Sequence, residues 1–234
     1  MNKVAVILGA GPGLGLALAK KFASEGYSVA IVSRNKERLL SIKKQIDGEI
    51  EVFAADVTKE TKLKSAFEKI FKKFGKNIDV MIYNAGQFKM QGIQKLKTDD
   101  FVSAWESNCL GGFISSKLVL ASMLRRKKGT IIFTGATASL RGSANFSGLA
   151  VGKFGLRALS QSIARELGPK GIHVAHVIID GQILNQDYIK RYPDREPGSF
   201  LSPESIAEQY WQIHLQDPTA WTLEMDLRPS VEKF

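Results

Sequence analysis

The first stretch whose spacing could do chemistry is Gly9-Ala10-Gly11-Pro12-Gly13-Leu14-Gly15, directly after the apolar run Val4–Leu8. Glycines at a strand-to-helix junction let the backbone turn tightly and bring helix-terminal N–H groups against an anion, a pyrophosphate above all. The spacing that holds is Gly9-x-x-x-Gly13-x-Gly15. The pattern G-x-G-x-x-G read from Gly9 fails, because Leu14 stands at the third glycine position. Further on, Ser33-Arg34-Asn35 joins a hydroxyl to a guanidinium fork, a pair suited to a phosphate. The three histidines and one cysteine leave little material for a metal centre, and none is expected.

The elements that must position these residues alternate along the chain. Strand-like runs fall at Val4–Leu8, Val29–Val32, Glu51–Ala54, Val80–Tyr83, Thr130–Thr134 and Ile172–Ile179, with a short last one in Trp221–Leu227. Helical runs fall at Leu14–Glu25, Asn35–Ile46, Lys59–Phe74, Thr98–Arg126, Gly152–Leu167 and Pro203–Leu215, the last with Ser202 as N-cap. The run Lys59–Phe74 gathers Leu63, Ala66, Phe67, Ile70, Phe71 and Phe74 on one face. Strand–helix alternation with Val/Ile-rich strands predicts an α/β fold with a doubly wound parallel sheet covered on both faces. The segment Gln182–Ser202 is polar, carries Pro193 and Pro197, and is weakly periodic. In a compact domain such a segment is expected to be a functional lid.

The chain has 234 residues, 44% hydrophobic and 24% charged, which fits one α/β domain and argues against disorder. Its net charge of +10 permits contact with nucleic acid or anionic membrane without establishing either. The lysines follow outer helix faces without interleaved aromatics, so a solvated surface is expected and no nucleic-acid partner. No apolar run is long enough to span a membrane, and the N-terminal one is cut by glycines; no membrane partner is expected. Cys109 stands alone, which rules out an intrachain disulfide and fits a reducing, cytoplasmic setting.

Several separated motifs stand in order: Gly9, Gly13 and Gly15; Asp56-Val57; Asn84-Ala85-Gly86; Asn108 in Ser107–Gly111; and Lys153 opening Lys153–Leu159. On these the chain resembles the short-chain dehydrogenase/reductase family over nearly its whole length. The resemblance implies a single Rossmann domain over 1–234, with 182–215 as a substrate-side lid segment and helix. The cofactor-binding residues it implies are Gly9, Gly11, Pro12, Gly13, Leu14, Gly15, Ser33, Arg34, Asp56, Val57, Asn84, Ala85, Gly86, Lys153, Gly181 and Ile183. In that family an acidic residue ending the second strand would bind the adenosine ribose, whereas a cation accepts a 2′-phosphate. Ser33-Arg34 carries no carboxylate, so NADP(H) is expected. Family members pair through the helices holding the Asn108 and Lys153 positions. A homodimer or homotetramer is therefore expected, with Phe113, Leu118, Phe154, Leu156 and Leu159 available to the contact.

The sequence departs from the family where the reacting oxygen is usually held. A Tyr about four residues before the Lys, and a Ser about thirteen before that Tyr, are usual there; the counts reach Leu149 and Ala136. No Tyr lies between Thr130 and Lys153, and Phe146, the nearby aromatic, has no proton to give. Ala136, Leu149 and Phe146 are assigned to the substrate pocket, and Asn108 and Lys153 remain as catalytic candidates. The run Phe133–Gly142, the run His173–Gly181 and the Trp221–Met225 ending resemble a bacterial subgroup with a non-Tyr residue at the position of Leu149. Asp180 stands at the carboxyl end of a parallel strand, where a partly desolvated carboxyl could serve as acid or base; alternatively it caps a turn with Gly181. His173 and His176 are an odd number apart and should face opposite sides of their strand. Two functions stay open. One is an oxidoreductase acting on a small carbonyl, enone or imine-type substrate with an atypical proton donor. The other is a nucleotide-binding protein without turnover, a sensor or regulatory subunit.

Overall fold

Alternate residues of β1 (Val4–Leu8) serve two cores at once: Ala5 and Ile7 pack into one, Val4, Val6 and Leu8 into the other. This is the two-residue period of a strand buried on both faces. The computed structural model describes residues 3–185, 190 and 193–231. The other strands are β2 (Ser28–Ser33), β3 (Ile50–Ala54), β4 (Val80–Tyr83), β5 (Gly129–Thr134), β6 (Ile172–Ile179) and β7 (Glu224–Leu227). They form one seven-stranded sheet in the order β3-β2-β1-β4-β5-β6-β7, and every pairing is parallel. The order reverses between β1 and β4, so a crevice opens at their carboxyl ends.

The helices divide between the two faces. Helices α1 (Leu14–Ser24), α2 (Lys36–Lys43) and α7 (Pro203–Leu215) bury Leu18, Phe22, Leu39, Ile42, Ile206 and Tyr210 on one side. Helices α3 (Glu60–Phe74), α5 (Gly111–Arg126) and α6 (Ser147–Leu167) bury Leu63, Phe67, Ile70, Val119, Met123 and Leu156 on the other. Helix α2 ends three residues earlier than the periodicity of Asn35–Ile46 predicts, with Asp47-Gly48 (φ 122°) following. Asn35 is its N-cap and accepts from the Arg38 N–H at 2.8 Å. Of the apolar residues expected at a subunit contact, Leu156 is fully buried and Leu118 and Leu159 pack on the core. Only Phe113 and Phe154 are exposed, at 44% and 43%.

Two departures bear on the site. The single helical run expected over Thr98–Arg126 is interrupted: α4 (Thr98–Trp105) passes into a π-helical turn, Glu106–Leu110, before α5. The Asn108 amide competes with the backbone for the Ala104 carbonyl, to which its Nδ2 donates at 2.9 Å. Helix α6 starts at Ser147 rather than near Gly152, so Lys153 does not open it and Leu149 lies on it one turn ahead of Lys153.

At the opposite end of the sheet, Phe22, Tyr27, Trp211 and His214 pack edge-to-face or tilted, with centroids 5.4 to 6.0 Å apart, and seat α7 on α1. His214 bonds Tyr27 through Nε2 at 2.7 Å and Thr130 through Nδ1 at 2.8 Å. Burial pushes its pKa down from 6.5 to about 4. Between those values the unfolded chain binds the proton that the folded one refuses, so stability falls as pH drops through this window. The expected loss from this group between pH 7 and pH 5 is about 2 kcal/mol. Urea unfolding at the two pH values should show it, and His214→Gln should shrink the pH dependence. His176, pushed down to about 4 chiefly by burial, acts with the same sign and stays in the variant.

Candidate functional site

Gly9 leaves β1 with φ 86°, its N–H donating to the Val32 carbonyl at 2.8 Å, while the Asn84 side chain donates to the Gly9 carbonyl at 3.0 Å. A Cβ there would stand 2.3 Å from the Ala85 nitrogen, so only glycine lets the ends of β1 and β4 meet this closely. Gly13 caps α1 with no side-chain hydrogen bond, leaving the first N–H groups of that helix to an external acceptor. Among the described residues, no atom beyond the adjoining residues lies within 4 Å of where a Cβ at Gly11 or Gly13 would sit, so the open space beside them suits a ligand.

Two connected hollows share Gly9, Gly11 and Asn84 and make one groove. The first, about 390 Å³, is lined by Ser33, Arg34, Asn35, Arg38, Ala55, Asp56, Val57, Ala85, Gly86 and Ser107 besides the shared residues. Against the upward push of burial, the Thr58 N–H and hydroxyl, with Arg34 and Lys59 nearby, hold Asp56 below the usual carboxylate range. The Ser33 hydroxyl is buried without a partner among the described residues. The second hollow, about 760 Å³, is lined by Gly13, Leu14, Gly15, Phe88, Thr134, Ala136, Thr137, Ala138, Arg141, Ser143, Phe146, Leu149, Ile179, Gly181, Gln182, Ile183, Asn185 and Arg195.

Asn108 and Lys153 lie beneath the floor of this groove. Asn108 Nδ2 donates to the Gln87 and Ala104 carbonyls, both at 2.9 Å, and its Oδ1 has no partner among the described residues. A Cβ on Gly86 would lie 2.9 Å from that Oδ1 and 3.6 Å from the Lys153 Nζ, which places both groups against one backbone. Helix α6 approaches the π-helical turn so closely at Gly152 that a Cβ would stand 2.5 Å from the Asn108 Cβ. Lys153 donates to the Thr134 carbonyl at 2.7 Å, and burial pulls its pKa down from 10.5 to about 8. Tyr83 is wholly buried; its hydroxyl donates to the Ser107 carbonyl at 2.7 Å and steadies the π-helical turn.

The sequence-assigned residues therefore separate into groups. The glycine turn, Ser33, Arg34, Asp56, Val57 and Asn84-Ala85-Gly86 line the groove, as do Gly181 and Ile183 at its far end; Pro12 is exposed outside it. Ala136, Phe146 and Leu149 meet on the substrate side. Asp180 is 4% exposed and absent from that lining. Its Oδ1 accepts from the Thr137 hydroxyl and its Oδ2 pairs with Arg228 at 3.3 Å. His173 and His176 face opposite sides of β6: His173 stacks on Trp221 at 4.8 Å, and His176 lies against Ser139 at 3.4 Å. Arg38, Phe88, Arg141 and Arg195 were not singled out by sequence. Arg38 could have been, standing one helical turn after Arg34. The other three are brought in by loops, where no periodicity points.

A model of the short chain dehydrogenase family matches residues 3–183, and the chain belongs to that family, a family of oxidoreductases with the Rossmann fold. Among curated relatives, the 3-oxoacyl-[acyl-carrier-protein] reductase of Mus musculus is 32% identical over 183 residues, 78% of this chain and 76% of that one. Among solved structures, a short-chain dehydrogenase from Rhodopseudomonas palustris is 37% identical with a TM-score of 0.84, covering 98% of this chain and 99% of that one. An alcohol dehydrogenase from the archaeon Thermococcus sibiricus, complexed with 5-hydroxy-NADP, is 26% identical with a TM-score of 0.87, covering 100% and 99%. No helix among the described residues is long and apolar enough to cross a membrane.

Proposed function

We propose that this chain is an NADP(H)-dependent oxidoreductase acting on a small carbonyl, enone or imine-type substrate. The observation that carries the cofactor choice is the end of β2. There Ser33, whose buried hydroxyl has no partner among the described residues, lines the groove with Arg34 and Arg38, and Ser33-Arg34-Asn35 offers no carboxylate to hold a ribose. The Thermococcus relative with a bound NADP derivative supports it. The N-terminus of α1 would hold the pyrophosphate, Ser33 and Arg34 the 2′-phosphate, and Asn84-Ala85-Gly86 with Lys153 the nicotinamide end. When bound, the nucleotide supplies a hydride.

The chain's own residues do the rest. Lys153 carries a proton on Nζ at neutral pH and is fixed by the Thr134 carbonyl; the Asn108 Oδ1, beside it, is an acceptor awaiting a water or hydroxyl. Ala136 and Leu149 stand where the family usually carries Ser and Tyr. They offer no proton, so the proton that follows hydride comes from water or from the substrate. With both carboxyl oxygens engaged, Asp180 acts as a positioning residue that ties the Thr137 turn to Arg228. Residues 182–185 and Arg195 form the substrate-side lid, which leads into α7 and is tied by the Leu184 N–H to the Leu201 carbonyl at 2.8 Å. Positions 186–189 and 191–192 of that lid lie outside the described residues. Exposed Phe113, Val151 and Phe154 on α5 and α6 support a homodimer or homotetramer.

Titration of NADPH and NADH tests the cofactor assignment. The wild type should favour NADPH, and Arg34→Glu should weaken NADPH about tenfold to a hundredfold while leaving NADH near its starting affinity. Tighter binding of NADH by the wild type overturns the assignment. Ala136 and Leu149 also favour a second reading, a nucleotide binder without turnover. Turnover of any carbonyl, enone or imine above a Lys153→Ala control excludes it.

A further inference from the structure

We propose that the substrate carries an anionic headgroup, a carboxylate or a phosphate ester, gripped by Arg141 and Arg195 while an apolar body rests on Phe88, Phe146 and Leu149. The inference rests on the oxidoreductase reading of the same groove and names its substrate class.

The substrate-side hollow is lined by two arginines and, among the described residues, by no aspartate or glutamate. The chain has 23 acidic residues, so this is placement and not shortage. Arg195 is half-buried and held in position. Its guanidinium lies 4.8 Å from the centre of the Phe200 ring, Nε donates to the Ser199 hydroxyl at 2.9 Å, and Nη1 donates to the Gln182 side-chain oxygen. All these partners are neutral, and no ion pair compensates Arg195 among the described residues. A guanidinium oriented in this way, with donors to spare, is prepared for a carboxylate or phosphate. Arg141 reaches the same hollow from the loop between the short turn Thr137–Ser139 and α6, is exposed, and likewise has no carboxylate partner among the described residues.

The cofactor's 2′-phosphate does not account for these cations: it belongs at Ser33 and Arg34, in the other half of the groove. The pyrophosphate belongs at the start of α1, which lines the same hollow, and there the helix N–H groups are its donors; the NADPH affinity of the arginine variants separates the two anions. The same hollow carries an apolar patch beside Thr134, Thr137 and Ser143: the Phe88 and Phe146 rings lie 5.5 Å apart, Leu149 follows on α6, and Ile179 and Ile183 join the lining. A cationic end and an apolar wall in one hollow fit an amphiphilic anion, such as an oxo acid or the phosphate ester of an oxo compound.

The test compares benzoylformate, its neutral methyl ester and phenyl phosphate, titrated by calorimetry into the NADPH-loaded protein and into the nucleotide-free protein. One or both anions should bind at least about tenfold tighter than the ester, and which does so separates carboxylate from phosphate. Arg141→Met and Arg195→Met should each abolish that preference, leave ester binding unchanged and keep NADPH affinity within about twofold. Arg195→Lys, which keeps the charge and the packing on Phe200 but not the fork, covers the case in which Arg195→Met unfolds; it should lose most of the preference. Equal or tighter binding of the ester overturns the proposal, as does a preference that survives in either variant. A fall in NADPH affinity in the arginine variants also overturns it by placing them in the cofactor site. Failure of NADPH to bind the wild type overturns the cofactor reading instead, and the nucleotide-free titration still reads the arginines.

Discussion

The double variant Ala136→Ser, Leu149→Tyr is expected to raise NADPH-dependent carbonyl reduction by about two to four orders of magnitude, the usual worth of a positioned general acid. Leu149 lines the substrate hollow on α6, one turn ahead of Lys153 on the same helix face. A phenol there would stand near a buried ammonium, whose charge favours the phenolate and so brings the hydroxyl closer to working pH. Ala136 lines the same hollow, and its N–H is already fixed by the Ser139 hydroxyl at 3.1 Å, so a side chain added there projects from a held backbone. The rate is read from nicotinamide absorbance at saturating NADPH. Leu149→Phe is the control, since it adds the ring without the hydroxyl. If the Tyr variants do no better than Leu149→Phe, proton delivery at this position does not limit the reaction.

The second large effect is expected at Gly9. Gly9→Ala forces a Cβ to within 2.3 to 2.6 Å of the Asn84–Ala85 backbone at a φ of 86°. Neither partner is a flexible side-chain end: both belong to the loop leaving β4, and the Asn84 side chain is tied back to the Gly9 carbonyl. Relief requires the carboxyl ends of β1 and β4 to part, which is the mouth of the groove. A loss of about 4 kcal/mol or more in unfolding free energy is expected, in the range reserved for core clashes and strained backbone. If the variant still folds, NADPH binding should be lost with it. Urea unfolding and NADPH titration check the two halves, and a variant of wild-type stability would refute the clash.

Much of this was legible in the sequence because it rests on short-range regularities. Doubly buried strands read as unbroken Val/Ile runs, and six of the seven were placed within two residues; for β7 the reading began three residues early, at Trp221. The glycine turn was legible because a tight strand-to-helix connection admits few residue types. What escaped depends on competition or on distance. The π-helical turn was hidden because Ser-Asn-Cys-Leu has no distinctive period; it forms because one amide outbids the backbone for a carbonyl. The early start of α6 is hidden by Ser147 and Gly148, which look like loop residues, though Gly148 lies under Phe101 and Ala104 of α4. Arg195 and Phe88 could not be placed at the site, because each arrives on a loop whose course is set by contacts far away in the chain.

The π-helical turn also sets a limit on how this chain can vary. It accommodates one residue more than an α-helix would between α4 and α5. Deleting a single residue from Glu106–Leu110 would let the helix close into an unbroken α-helix, locally the more regular arrangement. A bulge of this kind absorbs its extra residue locally, so α4 and α5 would keep their faces while the side chains within the turn were redistributed. Asn108 would swing away from Gly86 while α5 kept its place on the sheet. The fold would tolerate such a loss and the groove would not. A lineage shedding that residue would keep a well-formed domain and lose the acceptor at its floor, so this one supernumerary position separates the architecture's requirements from those of the chemistry it houses.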